Sequence, residues 1–186
     1  LSDAIVDRAM FHADNAYSLG DARVTGHRAK THTASNTAFR GFGGPQGMMI
    51  IEAAMDDIAR RVGEDPLTIR KRNFYREGRD TTHYGQQVDQ KQLLHTLVDT
   101  LETSSDYWAR RQHIRDYNAA SPVIKKGLAL TPVKFGISFT AQHLNQAGAL
   151  LHVYTDGSIM INHGGTEMGQ GLHTKICQVV ARELGL

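Results

Sequence analysis

Cysteine is almost absent from this 186-residue chain, which carries Cys177 and no other. A lone cysteine excludes an intrachain disulfide framework and any cysteine-built zinc or iron–sulfur site contributed by this chain alone. No apolar run approaches the roughly 20 residues that a membrane-crossing helix needs, and the first residues lack a signal-peptide pattern, so no membrane partner and a cytoplasmic location are expected. Charge of one sign is missing too. With 21 Lys and Arg against 19 Asp and Glu the formal net charge is +2, and no basic patch alternates with aromatics, which argues against nucleic acid as a partner. The 10 histidines are scattered without the spacing of a metallopeptidase helix or a zinc finger, so a dedicated histidine metal site is not expected. Cys177 itself falls in a helical pattern and is expected to be a small buried thiol.

Glycine is abundant, with 18 residues, and two clusters of it punctuate the chain. In TAFRGFGGPQGMM, at 37–49, Gly41, Gly43 and Gly44 interleave with Phe42 just after Phe39 and Arg40 and run straight into Pro45. Proline is a good opening residue for a helix, since its missing N–H has no partner there in any case. Two readings stay open at this point: a turn that launches a helix, or a backbone nest at a helix N-terminus that cradles an anion or cofactor, with Arg40 beside it. The second cluster, HGGTEMGQG at 163–171, also runs into a helical pattern. That recurrence favours a binding site.

The chain is long enough for one domain or two small ones, and its 40% hydrophobic and 22% charged residues describe a globular protein. Residues 10–17 and 22–29 read as strands, and 32–36 as a turn. Met48, Ile51, Met55, Ile58 and Val62 recur at helical steps, with Asp56–Arg60 and Asp57–Arg61 as supporting pairs four apart and Gly63 as the stop. The methionines are expected to pack against a sheet. Asp65 and Pro66 read as the N-cap and first position of a short helix. After a polar surface connection at 75–88, Asp89 and Gln92 fit a capping box before the stripe Leu93, Leu94, Leu97 and Leu101. Ser104 then fits the cap of a helix carrying Tyr107, Trp108, Ile114 and Tyr117, with Arg110, Arg111 and Arg115 on a solvated face. Residues 118–122 read as a linker, with a boundary near 120. Beyond it, 127–135 and 138–140 look extended. Ala149, Leu151 and Val153 share a face of a strand, Thr155, Asp156 and Gly157 signal a hairpin, and a final helix spans about 170–184. The fold class is α+β, with helices and mixed or antiparallel sheets.

Several of these stretches carry a resemblance. TAFRGFGGPQ at 37–46, KFGISFT at 134–140, LNQAGALLHVYTDGS at 144–158 and HGGTEMGQGLHTK at 163–175 closely resemble the molybdenum-cofactor-binding part of the xanthine dehydrogenases, members of the molybdenum hydroxylase family that also contains aldehyde oxidases. The resemblance extends over essentially the whole chain. It implies an incomplete α+β piece of a larger protein, with 1–120 in a first molybdenum-cofactor-binding subdomain and 121–186 opening a second. It implies an oxidoreductase that hydroxylates hypoxanthine and xanthine to urate at a molybdenum–molybdopterin centre, takes the oxygen from water, and passes electrons through 2Fe-2S clusters and FAD to NAD.

By the same resemblance, Arg8 in VDRAMFHADN is a catalytic and substrate-binding arginine that orients purine and stabilises developing negative charge. On its own it reads as a solvated surface arginine. Phe42 would stack on the substrate, Phe139 would meet it edge-on, and Thr140 would bond its periphery. Arg40, whose backbone borders the molybdenum, falls with Gly41, Met168, Gly169 and Gln170 among the cofactor contacts, and no side chain ligates the metal. The family's catalytic glutamate lies further downstream, so Glu167 is not assigned that role. The iron–sulfur and FAD modules lie outside the chain as partners in a homodimer or heterotetramer, and the isolated fragment is expected to be inactive. Two alternatives are an aldehyde oxidase-type or other N-heterocycle hydroxylase, and a noncatalytic α+β anion-binding or structural domain.

Overall fold

The computed structural model describes residues 2–186. In chain order it contains α1 (Ser2–Phe11), α2 (Gly44–Val62), α3 (Pro66–Asn73), α4 (Lys91–Ser104), α5 (Tyr107–Ala120), a 3-10 turn (Gln142–Leu144), β1 (Ala149–Val153), β2 (Ile159–His163) and α6 (Leu172–Leu184). The chain divides into two compact units, one running to Gly136 and one from Ile137 to Leu186. The mixture of helices with an antiparallel strand pair is the α+β class that the pattern implies.

The first unit is built by helices. Its core joins Met55 and Ala59 of α2, Leu67 and Ile69 of α3, Val98 of α4 and Tyr107 of α5 with Ala16, Tyr17, Phe74 and Leu130. Met55 therefore packs among helices, not against a sheet, because the described residues of this unit form only isolated bridges such as Tyr17 with Phe74. The strands expected at 10–17 and 22–29 are absent. Met10 and Phe11 finish α1, residues 12–16 turn, and 22–29 carries no regular structure. That segment passes against α1 at Gly26, where an added Cβ would meet the Val6 and Met10 side chains, and its other residues are exposed apart from the half-buried Val24. The stretches 127–135 and 138–140 likewise pair with no strand.

Local codes decide the helix ends where they are strong. Pro45 opens α2 and Gly63, at φ 73°, closes it in the left-handed region that favours glycine. Asp65 caps α3, accepting from the Leu67 N–H at 3.0 Å, and the same carboxylate accepts from the Tyr107 hydroxyl at 2.8 Å and from Arg111 Nε at 2.9 Å. Arg111 is thus a tie between α5 and the start of α3 and does not belong to a solvated face. The capping box at Asp89 and Gln92 does not form. Helix α4 begins at Lys91 with Gln90 as its N-cap, one residue later than the box requires, while Lys91 Nζ bonds Asp80 and Glu77. Ser104 ends α4 and does not cap α5, whose N-cap is Asp106. Helix α5 continues through Ala120, so 118–120 is helical and not linker.

A buried ionic network replaces one expected surface pair. Asp56 bonds Arg70 at 2.8 Å instead of Arg60, and Asp57 takes both Arg60 and Arg61. Arg70 is only 1% exposed. Its Nε reaches Glu52 Oε2 at 2.8 Å, while Glu52 Oε1 accepts from Tyr17 and Asn15. Every donor aimed at Glu52 is matched by an acceptor lone pair, which is the condition under which a buried charge is tolerated.

In the second unit β1 and β2 pair antiparallel, with Ala149 opposite His163 and Val153 opposite Ile159. The Asp-Gly turn closes as expected: Gly157 lies at φ 83° and the Tyr154 N–H bonds Ser158 O at 2.9 Å. Helix α6 follows the second glycine cluster. No residue from 137 to 186 is buried, so Cys177 is exposed, not the buried thiol its helical pattern implies. A two-stranded hairpin and one helix do not enclose a core.

Candidate functional site

The first glycine cluster has a steric cause that its spacing left open. Gly41, Phe42 and Gly43 all have positive φ, at 98°, 51° and 102°, so the chain turns left-handed three times before α2. A Cβ at Gly43 would sit 2.0 Å from the Ile5 carbonyl oxygen, and one at Gly47 would sit 2.1 Å from that of Ala9. These two glycines let the start of α2 pass backbone against backbone along α1. Phe42 is the non-glycine residue forced into the left-handed region, a conformation that surrounding structure must hold. Arg40 is exposed on the same turn, and Phe42 is half-buried.

That packing fixes the helix carrying Arg8. Ile5 and Ala9 flank Arg8 on α1, and Arg8 is buried, at 6% exposure. Its Nη2 donates to the Gly136 carbonyl at 2.5 Å, and its guanidinium lies 5.0 Å above the Phe135 ring. The segment 134–136 is held by neighbours of Arg8 as well. Lys134 N donates to Asn15 Oδ1 at 3.0 Å, Lys134 Nζ bonds Asp14 Oδ2 at 2.9 Å, and Gly136 N donates to His12 Nε2 at 3.0 Å. The Tyr75 hydroxyl also donates to the buried Asp14 carboxylate. Burial pushes the Tyr75 phenol above its ordinary range, reinforced by that carboxylate, and burial lowers the Arg8 pKa.

In the second unit, Phe139 is clamped through its backbone: its N–H donates to Asn145 Oδ1 at 2.7 Å and its carbonyl accepts from Asn145 Nδ2 at 2.8 Å. Thr140 follows it, half-buried. Met168, Gly169 and Gln170 share one exposed loop that leads into α6. Its backbone donors converge. Gly169 N and Gly171 N reach Glu167 Oε1 at 2.7 and 3.2 Å, Leu172 N reaches Glu167 Oε2 at 2.5 Å, and Met168 N reaches Gln170 Oε1 at 2.5 Å. Desolvation opposes ionisation of Glu167, but the N–H groups of Gly169, Gly171, Leu172 and His173 outweigh it and hold its carboxyl below the usual range. These N–H groups, gathered at a helix N-terminus, hold a carboxylate as an oxygen-rich anion would be held.

The first unit therefore brings Arg40, Gly41 and Phe42 onto one turn, docked through Gly43 and Gly47 on the helix that bears Arg8. The second brings Met168, Gly169 and Gln170 together on one loop and separately holds Phe139, followed by Thr140, on an Asn145-braced turn. Reading the residues in order missed three participants. His12 and Phe135 contact Arg8, and His12 could have been found as the residue one helical turn after it. Glu167 accepts from the backbone N–H groups at the start of α6, a role that its place four loop residues before the helix foreshadows. Among the described residues no cluster of three or more His, Cys, Asp or Glu side chains is arranged to hold a metal ion, and no helix is long and apolar enough to cross a membrane.

Comparison with known proteins defines the class. Residues 1–74 match a family described as a molybdopterin cofactor-binding domain, and residues 100–186 match a second family of the same description. The chain belongs to the molybdopterin cofactor-binding domains of the molybdenum hydroxylases. Over all 186 of its residues it is 52% identical to a xanthine dehydrogenase/oxidase of Gallus gallus, 14% of whose length it covers. It is 50% identical over 184 residues, 99% of this chain and 14% of the relative, to a xanthine dehydrogenase/oxidase of Felis catus. It is likewise 50% identical over 186 residues, 100% of this chain and 14% of the relative, to a xanthine dehydrogenase of Drosophila subobscura.

Proposed function

We propose that this chain supplies one part of the substrate and cofactor site of a xanthine dehydrogenase that hydroxylates hypoxanthine and xanthine to urate. In this reading residues 1–120 belong to a first cofactor-binding subdomain and 121–186 open a second. When bound, molybdopterin supplies the redox centre at which water-derived oxygen enters the purine, and electrons leave through 2Fe-2S clusters and FAD in the rest of the protein to NAD.

The chain's own residues bind and orient. Arg8 carries the reading: a buried guanidinium, held against Gly136 and Phe135 on a helix locked by glycine packing, is a fixed positive charge suited to a heteroaromatic ring that becomes more anionic as it reacts. Within the first unit Phe42 would offer an apolar face to a flat ring; within the second, Phe139 would offer an aromatic edge and Thr140 a hydrogen bond to such a ring's periphery. Gly41 and the Arg40 backbone would border the metal of the bound cofactor. Met168, Gly169 and Gln170 hold the pterin with backbone N–H groups and an amide, once Glu167 and Gln170 release the donors they engage in this structure.

Two measurements test this. In the full-length enzyme, xanthine and hypoxanthine are turned over with far higher kcat/KM than benzaldehyde; the reverse preference would place the chain with aldehyde oxidases. Purified residues 1–186 retain no molybdenum and support no xanthine-dependent dye reduction, because the general base and electron path are supplied elsewhere. Stoichiometric metal with turnover would contradict that.

A further inference from the structure

Gly136 is bonded on both sides by one turn of helix. Its carbonyl accepts from Arg8 Nη2, and its N–H donates to His12 Nε2 at 3.0 Å. The other ring nitrogen, His12 Nδ1, lies 2.8 Å from the Arg8 carbonyl oxygen. A peptide N–H only donates and a carbonyl only accepts, so both partners dictate the state of the imidazole. Nε2 carries no proton, Nδ1 carries the proton, and the ring is neutral. His12 is 6% exposed, and its ring centroid lies 5.0 Å from that of Phe135, the ring over which the Arg8 guanidinium sits.

We propose that His12 is a positioning residue for Arg8: as the neutral Nδ1–H tautomer it ties the Arg8 carbonyl to the Gly136 amide, closing a ring of contacts that fixes the guanidinium against Gly136. This rests on the reading of Arg8 as the residue that orients the purine. His12 does not touch substrate. It sets where α1 meets the segment 134–136 and so where the Arg8 charge stands.

A proton on Nε2 would face the Gly136 N–H, donor against donor, and open this tie. The groups around the ring weigh on that proton. Burial disfavours it most; the bond to the Arg8 carbonyl favours the charged form; the charges of Arg8 on α1 and Lys134 on the facing segment oppose it; and Asp14, on the turn after α1, favours it. Asp14 is itself engaged by Lys134 and Tyr75 and lies beside His83. The net direction is downward from an ordinary histidine, so the tie is intact at neutral pH and opens only below the ordinary histidine range.

The test uses the full-length holoenzyme in wild-type form and as His12→Phe, His12→Gln and Arg8→Ala. Phenylalanine keeps the ring face against Phe135 and removes both hydrogen bonds; glutamine retains an acceptor for the Gly136 N–H but does not titrate. Expected for His12→Phe is normal molybdenum content, a roughly tenfold fall in kcat/KM for xanthine near neutral pH, and less than about twofold change for benzaldehyde. An acid-side loss in wild type, setting in below the ordinary histidine value of about 6.5, is expected to disappear in both histidine variants, with His12→Gln recovering part of the rate. Amide hydrogen exchange over 134–137 is faster in His12→Phe than in wild type at the same pH.

Wild-type pH dependence in His12→Phe, equal losses on both substrates, or unchanged exchange would overturn the proposal. If His12→Phe loses molybdenum, His12→Gln decides by its pH profile. Equal losses of xanthine and benzaldehyde activity in Arg8→Ala would sink the reading of Arg8, and with it the positioning role, whereas the exchange measurement separately decides whether the tie exists. A selective loss in Arg8→Ala with no change in either histidine variant would leave Arg8 standing and remove His12.

Discussion

Residues up to Gly136 bury charged and polar side chains; residues 137–186 bury nothing. In the first unit Arg70, Asp14, Arg8 and His12 are all nearly inaccessible, each with bonded partners. In the second, the Glu167 carboxylate makes comparable bonds to backbone N–H groups in the open, and the apolar side chains Leu150, Val153 and Val179 are more than half exposed. The same kind of contact has different consequences in the two settings. A buried charge left without its partner stays desolvated, whereas an exposed one is rescued by water. Arg8 belongs to the unit that enforces geometry, and the backbone donors around Glu167 belong to a loop whose bonds can be exchanged.

The contrast is broken most severely at Arg70. Arg70→Met leaves Glu52 desolvated against Tyr17 and Asn15 and is expected to destabilise the protein by about 3–5 kcal/mol, read as a lower chemical denaturation midpoint. Gly47→Ala pushes a methyl group into the Ala9 carbonyl and is expected to cost about 3 kcal/mol while displacing α1. Gly127→Ala, where an added Cβ meets nothing within 4 Å, is expected to stay within about 0.5 kcal/mol of wild type. A similar cost for these two glycines would refute the backbone-packing explanation.

Asp65→Ala is expected to cost about 1–2 kcal/mol at neutral pH, since it removes the cap of α3 together with the bonds from Tyr107 and Arg111. Burial alone would raise the Asp65 pKa, but the Leu67 N–H, the Tyr107 hydroxyl and Arg111 bring it below the ordinary carboxylate range. A folded-state pKa lower than the unfolded one means that this stabilisation is complete above an unfolded value of about 3.9 and is lost as pH falls through the folded value. The difference between wild type and Asp65→Ala should therefore shrink in acid; a difference that grew in acid would reverse the sign argued here. The smallest effect is expected in the second unit. Glu167→Gln should speed amide exchange over 168–173 and leave the denaturation midpoint of the first unit unchanged.

Where a few neighbouring residues decide the outcome, the sequence was readable. Pro45 and Gly63 bracket α2, Asp65 caps α3, and the Asp156-Gly157 turn closes the hairpin, because caps and turns are satisfied within four residues. Helix α1 was not legible, since its short and weakly periodic stretch is stabilised by contact with Gly43 and Gly47, about 40 positions further along the chain. The Arg70 network escaped for the same reason: Glu52 and Asp56 lie where an amphipathic pattern places solvent, and only the fold of α3 over α2 turns them inward. At the candidate site, glycine spacing marked both clusters as candidate binding loops, and motif resemblance singled out Arg8. His12, Phe135 and the capping role of Glu167 needed three-dimensional partners to be seen.

The central claim, that Arg8 is a fixed charge orienting a purine, is tested most directly by one ratio. In the full-length enzyme, kcat/KM for xanthine divided by that for benzaldehyde is measured for wild type and Arg8→Ala. The account predicts a fall in this ratio of roughly a hundredfold or more, because a transition-state charge contact is lost for one substrate only. An unchanged ratio, with both substrates slowed alike, would contradict it.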